Sequence, residues 1–226
     1  MRLPPFTAAF IRCSSFGLYT AGRLIRRRQD DLAATARDSS RNLLALGRAW
    51  DDAGLETQEG YAARDAIDAD LDDVTRRIRQ LLSNRELGAD KKAPFTAIFP
   101  DGLAYYLESP VGEHLRRYQL LITRIEENLP EEDPIRLEQV PQLRQLLSAW
   151  SDAAAGLEGL LNRETVTRDR LAAARTDWEK RMNDTYATLC TRFDKRQAEQ
   201  FFKKSETREK QSTGPESPTH NNASTG

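Results

Sequence analysis

The sequence predicts an all-α fold: a mostly antiparallel bundle of four or five long helices, with a proline-aromatic crossover segment and a disordered C-terminal tail. Three observations carry this. Apolar residues recur at alternating steps of four and three through Ile67, Leu71, Val74, Ile78 and Leu81. The same spacing runs through Val111, Leu115, Tyr118, Ile122, Ile125 and Leu129, and again through Leu143, Leu147, Trp150, Ala154, Leu157 and Leu161. Such spacing places one narrow stripe on a helix, the coiled-coil type of seam. Second, 38% hydrophobic, 31% charged and only 8% aromatic residues suit lean helices better than a thick α/β core. Third, prolines and glycines gather between the seams.

Residues 1–28 are apolar-aromatic text carrying six arginines and no acid. Arg12 cuts the apolar run short and no small-residue cleavage site follows, so the segment does not read as a signal peptide. An extra packed helix, a transit sequence, a membrane-surface anchor and an early start codon all fit it. From Asp30, a capping residue along with Asp31, the stripe Leu32, Ala36, Ser39, Leu43, Leu46 and Trp50 predicts a helix to about Ala53. Gly54 and Gly60 then suggest a connection to a second helix ending near Asn84. The rival is one continuous helix of about 55 residues, about 80 Å long, because the register passes Ala53, Thr57 and Gly60 almost without a shift. Two helices are the favoured reading.

Residues 85–109 break the pattern, with Pro94, Pro100 and Gly102 among Phe95, Phe99, Tyr105 and Tyr106. Asp101-Gly102 fits a hairpin turn, or Asp101 caps a one- or two-turn helix to Glu108. The helix is preferred, since a lone hairpin is marginal. Ser109-Pro110 then opens a helix that ends by Leu129, before Pro130. The acidic loop Glu131–Asp133, with Pro134, then leads to a further helix through Leu161. Glu164 and Arg168 fall on stripe positions, which predicts a break or projecting turn over 162–169. The pattern resumes with Leu171, Trp178, Met182, Leu189 and Phe193, and Phe201-Phe202 clip the last helix onto the body. The domain reading is therefore 1–28 basic segment, 29–204 helical bundle and 205–226 disordered tail, the tail lacking any large apolar residue. An echo at an offset of 100 residues, Leu46 to Ala53 against Leu146 to Ala153, fits either duplication or convergence on good helix formers.

The same residues narrow the chemistry. Cys13 and Cys190 are too few for a disulfide framework and too far apart for a metal knuckle, which suits a reducing, cytoplasmic setting. No apolar stretch reaches the roughly 20 residues that span a bilayer. Of two histidines, His220 falls in the tail, so His114 alone cannot supply the paired histidines of a di-metal bundle or a zinc helix. It reads as a flanking residue beside Leu115. Asp65, Asp68 and Asp72 share a helical face, yet Arg76 and Arg77 follow Asp72 and Asp73 at i+4, which favours surface ion pairs over a cation site. No glycine-rich phosphate loop appears, and the mildly acidic body argues against nucleic acid.

No catalytic residue, cofactor or metal is therefore expected. The expectation is a non-enzymatic helical interaction or structural module with a protein partner or a second copy of itself. The alternative is a peripheral membrane protein anchored by residues 1–28. Candidate partner-binding residues are Phe95, Phe99, Tyr105 and Tyr106, which also fit a plug closing one end of the bundle. Candidate contacts to an anionic surface are Arg23, Arg26, Arg27 and Arg28.

Overall fold

The computed structural model describes residues 1, 3–5 and 9–203. It is all-α, with no strand among the described residues: α1 (Phe10–Arg26), α2 (Asp30–Ser83), α3 (Phe95–Ile98), α4 (Ala104–Leu107), α5 (His114–Asn128), α6 (Pro134–Arg192) and α7 (Lys195–Glu199). Short 3-10 turns at Ala89–Lys91 and Val111–Glu113 complete the chain. The expected tail, 205–226, lies outside the described residues, as does His220.

The helical class is as the seams require, but two expected breaks are absent. α2 is one helix of 54 residues and α6 one of 59. Gly60, read as a helix breaker, is a contact residue: a Cβ there would come 2.7 Å from Leu160 Cδ1 and 3.2 Å from Leu157 Cδ1. Glu164 does occupy a stripe position in α6, where it lies across Gly54, its Oε1 3.9 Å from the place a Cβ would take. A polar residue on the stripe thus meets a glycine on the facing helix, and the helix needs no break. Pro141 sits inside α6, and its missing amide hydrogen would have faced the carbonyl of exposed Leu137.

The described residues divide into two compact units, one of residues 46–172 and one drawn from 1–45 and 173–203. In the first, α2 and α6 run antiparallel: Arg85 meets Asp133 at 2.6 Å, Gly60 faces Leu157 and Leu160, and Glu56 meets Arg163 at 2.5 Å. Leu71, Val74, Ile78 and Leu82 of α2 join Tyr118, Leu121, Ile122 and Ile125 of α5 and Leu143, Leu147 and Trp150 of α6 in one core. Each such buried side chain contributes about 1.5–3 kcal/mol. Where the seams end they slip by one position: Leu82 is buried rather than Leu81, and Val111 and Leu161 are exposed. Asp133 caps α6 through the Ile135 amide at 2.9 Å, and Arg136 donates to the terminal carbonyls of α5 at Glu126 and Leu129.

In the second unit α1 turns Cys13, Phe16, Gly17, Thr20, Ala21 and Leu24 inward, a broad stripe. Phe16 packs edge-on against Trp178 of α6 and beside Phe202 beyond α7. Trp178 Nε1 donates to Ser40 Oγ of α2 at 3.0 Å, and Ser40 donates in turn to the Ala36 carbonyl. α2 and α6 are antiparallel here too, with Arg192 bonded to Asp31 at 2.9 Å. Phe201 stacks beside Phe193 and Phe202 beside Tyr186, the clip expected of them. Buried Arg175 donates to the Pro5 carbonyl at 2.7 Å and pairs with Glu179.

Gly17 is the tightest point of this unit, because a Cβ would sit 1.9 Å from Ser40 Oγ and 2.8 Å from Trp178 Nε1. Gly17→Ala should therefore cost about 1–3 kcal/mol by overpacking. Gly22→Ala on the same helix meets nothing within 4 Å and should stabilise by about 0.5–1 kcal/mol. Thermal denaturation of the two variants tests the contrast; equal melting temperatures would contradict it.

Candidate functional site

α1 ends in a Schellman-type turn. The Arg28 amide donates to the Ile25 carbonyl and the Gln29 amide to the Leu24 carbonyl, both at 3.0 Å, with Arg28 at φ 57° in the left-handed region. Glycine is the usual residue there, so an arginine at this position carries a backbone cost. The helix carries no acidic residue, and its basic last turn suits the negative end of the helix dipole.

Arg23, Arg26 and Arg27 line a cleft of about 310 Å³ with Phe193, Phe201 and two glutamines, Gln197 and Gln200. Arg28 is exposed and outside the cleft lining. No carboxylate among the described residues pairs with Arg23, Arg26, Arg27 or Arg28. Most other arginines pair with an acid or a carbonyl. On the outer face of α1, Ile11, Tyr19 and Ile25 stand exposed at 57%, 45% and 42%, interleaved with Arg12 and Arg26. No helix among the described residues is long and apolar enough to cross a membrane.

The crossover aromatics lie elsewhere, in the unit of residues 46–172, and point inward. Phe95, Phe99 and Tyr106 are buried and Tyr105 is half-buried. Their rings form a chain of tilted and edge-on contacts, Phe95 to Phe99 to Tyr106 to Tyr105, with centroids 5.2 to 5.7 Å apart. Tyr106 donates to the Ile98 carbonyl at 3.0 Å and accepts from Arg124 at 2.8 Å; burial raises its phenol pKa and Arg124 opposes the rise. Arg117 lies over the Tyr105 ring and donates to its carbonyl. A one-turn helix, α4, does occupy the segment before Glu108, but Asp101 accepts from Arg124 instead of capping it. These rings fill core, and they offer little outward surface.

His114 is a correction. Expected beside the seam, it is buried on it, stacked on Trp150 at 4.5 Å and 17° and adjoining Tyr118. The buried stripe of α5 is His114, Tyr118, Leu121, Ile122 and Ile125, rotated from the expected one so that Leu115 is only partly covered. His114 Nε2 lies 2.9 Å from Asp68 Oδ1 without an aligned hydrogen bond. Tyr118 donates to Asp72 Oδ1 at 2.9 Å. Asp72 also pairs with Arg76, and Asp65 with Arg64, so the acidic run is engaged in ion pairs. Burial lowers the His114 pKa, with Asp68 opposing, and burial raises that of Asp68, with His114 opposing. Nothing in the sequence around His114 signals this burial, to which Trp150, 36 residues on, and Asp68 of α2 both contribute.

A shallower groove between α5 and α6 has a floor of Ile122 and Leu147 and a rim of Gln119, Thr123, Ser148 and Asp152. No family model matches the chain, and neither a curated protein nor a solved structure matches it.

Two outcomes follow from the unit of residues 46–172. Phe99→Ala should destabilise it by about 3–5 kcal/mol, read by chemical denaturation, whereas a cost near zero would mean that the ring faces solvent. His114 is held below its ordinary value of 6.5 in the folded chain, so as pH falls through that value the unfolded chain takes up the proton first and stability drops. Asp68 acts in the opposite sense: its folded carboxyl takes a proton above the ordinary 3.8, which returns part of the loss at lower pH. His114→Phe keeps the ring stack and should flatten the stability profile between about pH 7 and pH 5.5. An unchanged profile would show that His114 titrates alike in both states.

Proposed function

We propose that this protein is a non-enzymatic helical interaction module that attaches to an anionic membrane surface through the outer face of α1. The observation that carries this reading is the composition of that face: exposed Ile11, Tyr19 and Ile25 beside arginines, on a helix without a single acid. The inner stripe of α1 is already used by Phe16, Leu24 and their neighbours. Attachment therefore leaves the unit folded and asks nothing of its core. Arginine near an anionic leaflet contributes about 1 kcal/mol per residue. Three half-exposed apolar side chains contribute on the order of 1 kcal/mol each, so the five arginines Arg12, Arg23, Arg26, Arg27 and Arg28 outweigh them. Binding of this kind is electrostatic first and falls with added salt.

Vesicle flotation of the full chain tests the reading. Phosphatidylserine-containing vesicles should carry the protein and neutral phosphatidylcholine vesicles should not. Ile11→Ser, Tyr19→Ser and Ile25→Ser together should weaken binding roughly a hundredfold, about 3 kcal/mol, with helix content by circular dichroism unchanged. Equal flotation on both lipids, or no effect of the triple variant, would overturn it.

A further inference from the structure

We infer that the cleft at the end of α1 is a binding site for a phosphomonoester, held by Arg23, Arg26 and Arg27. The inference deepens the attachment reading, on which its lipid-borne form rests; a soluble phosphorylated polyol presents the same chemistry. The helix dipole accounts for cations in the last turn of α1. It does not account for three of them converging on one cleft whose opposite wall comes from a different part of the chain.

That wall is built by the end of α6 and by α7. Asp194 leaves α6 and caps α7 through the Gln197 amide at 2.7 Å, which turns its carboxylate to a backbone donor. Phe201 and Phe193 pack together at 5.6 Å and supply an apolar wall. Gln197 and Gln200 add neutral amides that donate to and accept from ring hydroxyls. The arginines lack any carboxylate partner among the described residues, so their donors are left to solvent or to a ligand. A guanidinium fork matches two phosphate oxygens at once, and a phosphomonoester brings three oxygens and close to two negative charges. The cleft volume of about 310 Å³ suits one substituted ring with its phosphates.

The test uses the full chain and two probes. Inositol 1,4,5-trisphosphate is titrated calorimetrically, and vesicles containing phosphatidylinositol 4,5-bisphosphate are compared with charge-matched phosphatidylserine vesicles. Arg23→Gln, Arg26→Gln and Arg27→Gln together should weaken trisphosphate binding at least roughly tenfold. Arg41→Gln, Arg48→Gln and Arg77→Gln remove the same charge from exposed positions outside the cleft and should change it by less than about twofold. Tighter binding to bisphosphate vesicles than to phosphatidylserine vesicles, competed by the trisphosphate, assigns the lipid headgroup as the source. Trisphosphate binding without that vesicle preference assigns a soluble source. If trisphosphate fails to bind, or both triple variants weaken it equally, the cleft is not a phosphomonoester site. In that case flotation on phosphatidylserine still decides the attachment reading separately.

Discussion

The antiparallel pairing of α2 with α6 is the constraint on which the rest depends. Each is a very long helix with one thin apolar stripe, and such a helix is stable only when a second lies along it. Within the unit of residues 46–172, partners recur in reverse order: Arg85 with Asp133, Gly60 with Leu157 and Leu160, Glu56 with Arg163. Two helices alone cover too little of each stripe. In that unit α5 and the crossover supply the third wall, and in the other unit α1 does so with Phe16, Gly17 and Leu24.

Close approach has a consequence for composition. Small residues appear where long side chains press together: Gly17 under Ser40 and Trp178, Gly60 under Leu157 and Leu160. Hydroxyls inside the pairing are satisfied locally, Ser40 and Thr57 each returning a hydrogen bond to the carbonyl four residues back. The buried Ser14 Oγ and Gln139 Oε1 are exceptions, and so is His114. It trades an aligned hydrogen bond for the stack on Trp150, and its closeness to Asp68 ties the titration of the two groups together.

Many of the arginines of this chain brace its fold. Arg85, Arg117, Arg124, Arg136 and Arg175 brace turns and helix ends by donating to carboxylates, carbonyls or a phenol. Those at the end of α1 make no such bond to an acid, and a non-glycine residue in the left-handed turn at Arg28 keeps the basic run unbroken. Side chains that do no bracing and sit beside an open cleft are the part of the surface with chemistry to offer.

The sequence opened α5 four residues early, at Pro110, and read Pro134 as loop where that residue starts α6. By itself it determined the helical class, the end of α5 before Pro130, the packing role of Trp150 and Trp178 though not of Trp50, which is only half-buried, and the clip formed by Phe201 and Phe202. These depend on local periodicity and capping, which a single strand of text carries. It also marked the arginine cluster, because a run without acids is visible in composition. Helix continuity at Gly54, Gly60 and Glu164 was decided only by tertiary structure, since a glycine that ends a helix and one that admits a neighbour look alike until the neighbour is in place. The same holds for His114, stacked on Trp150 of α6, and for the crossover aromatics, which pack against α5. It holds equally for the cleft: Phe193, Gln197 and Phe201 lie some 170 residues from Arg23, Arg26 and Arg27, and only the antiparallel return of α6 brings them together.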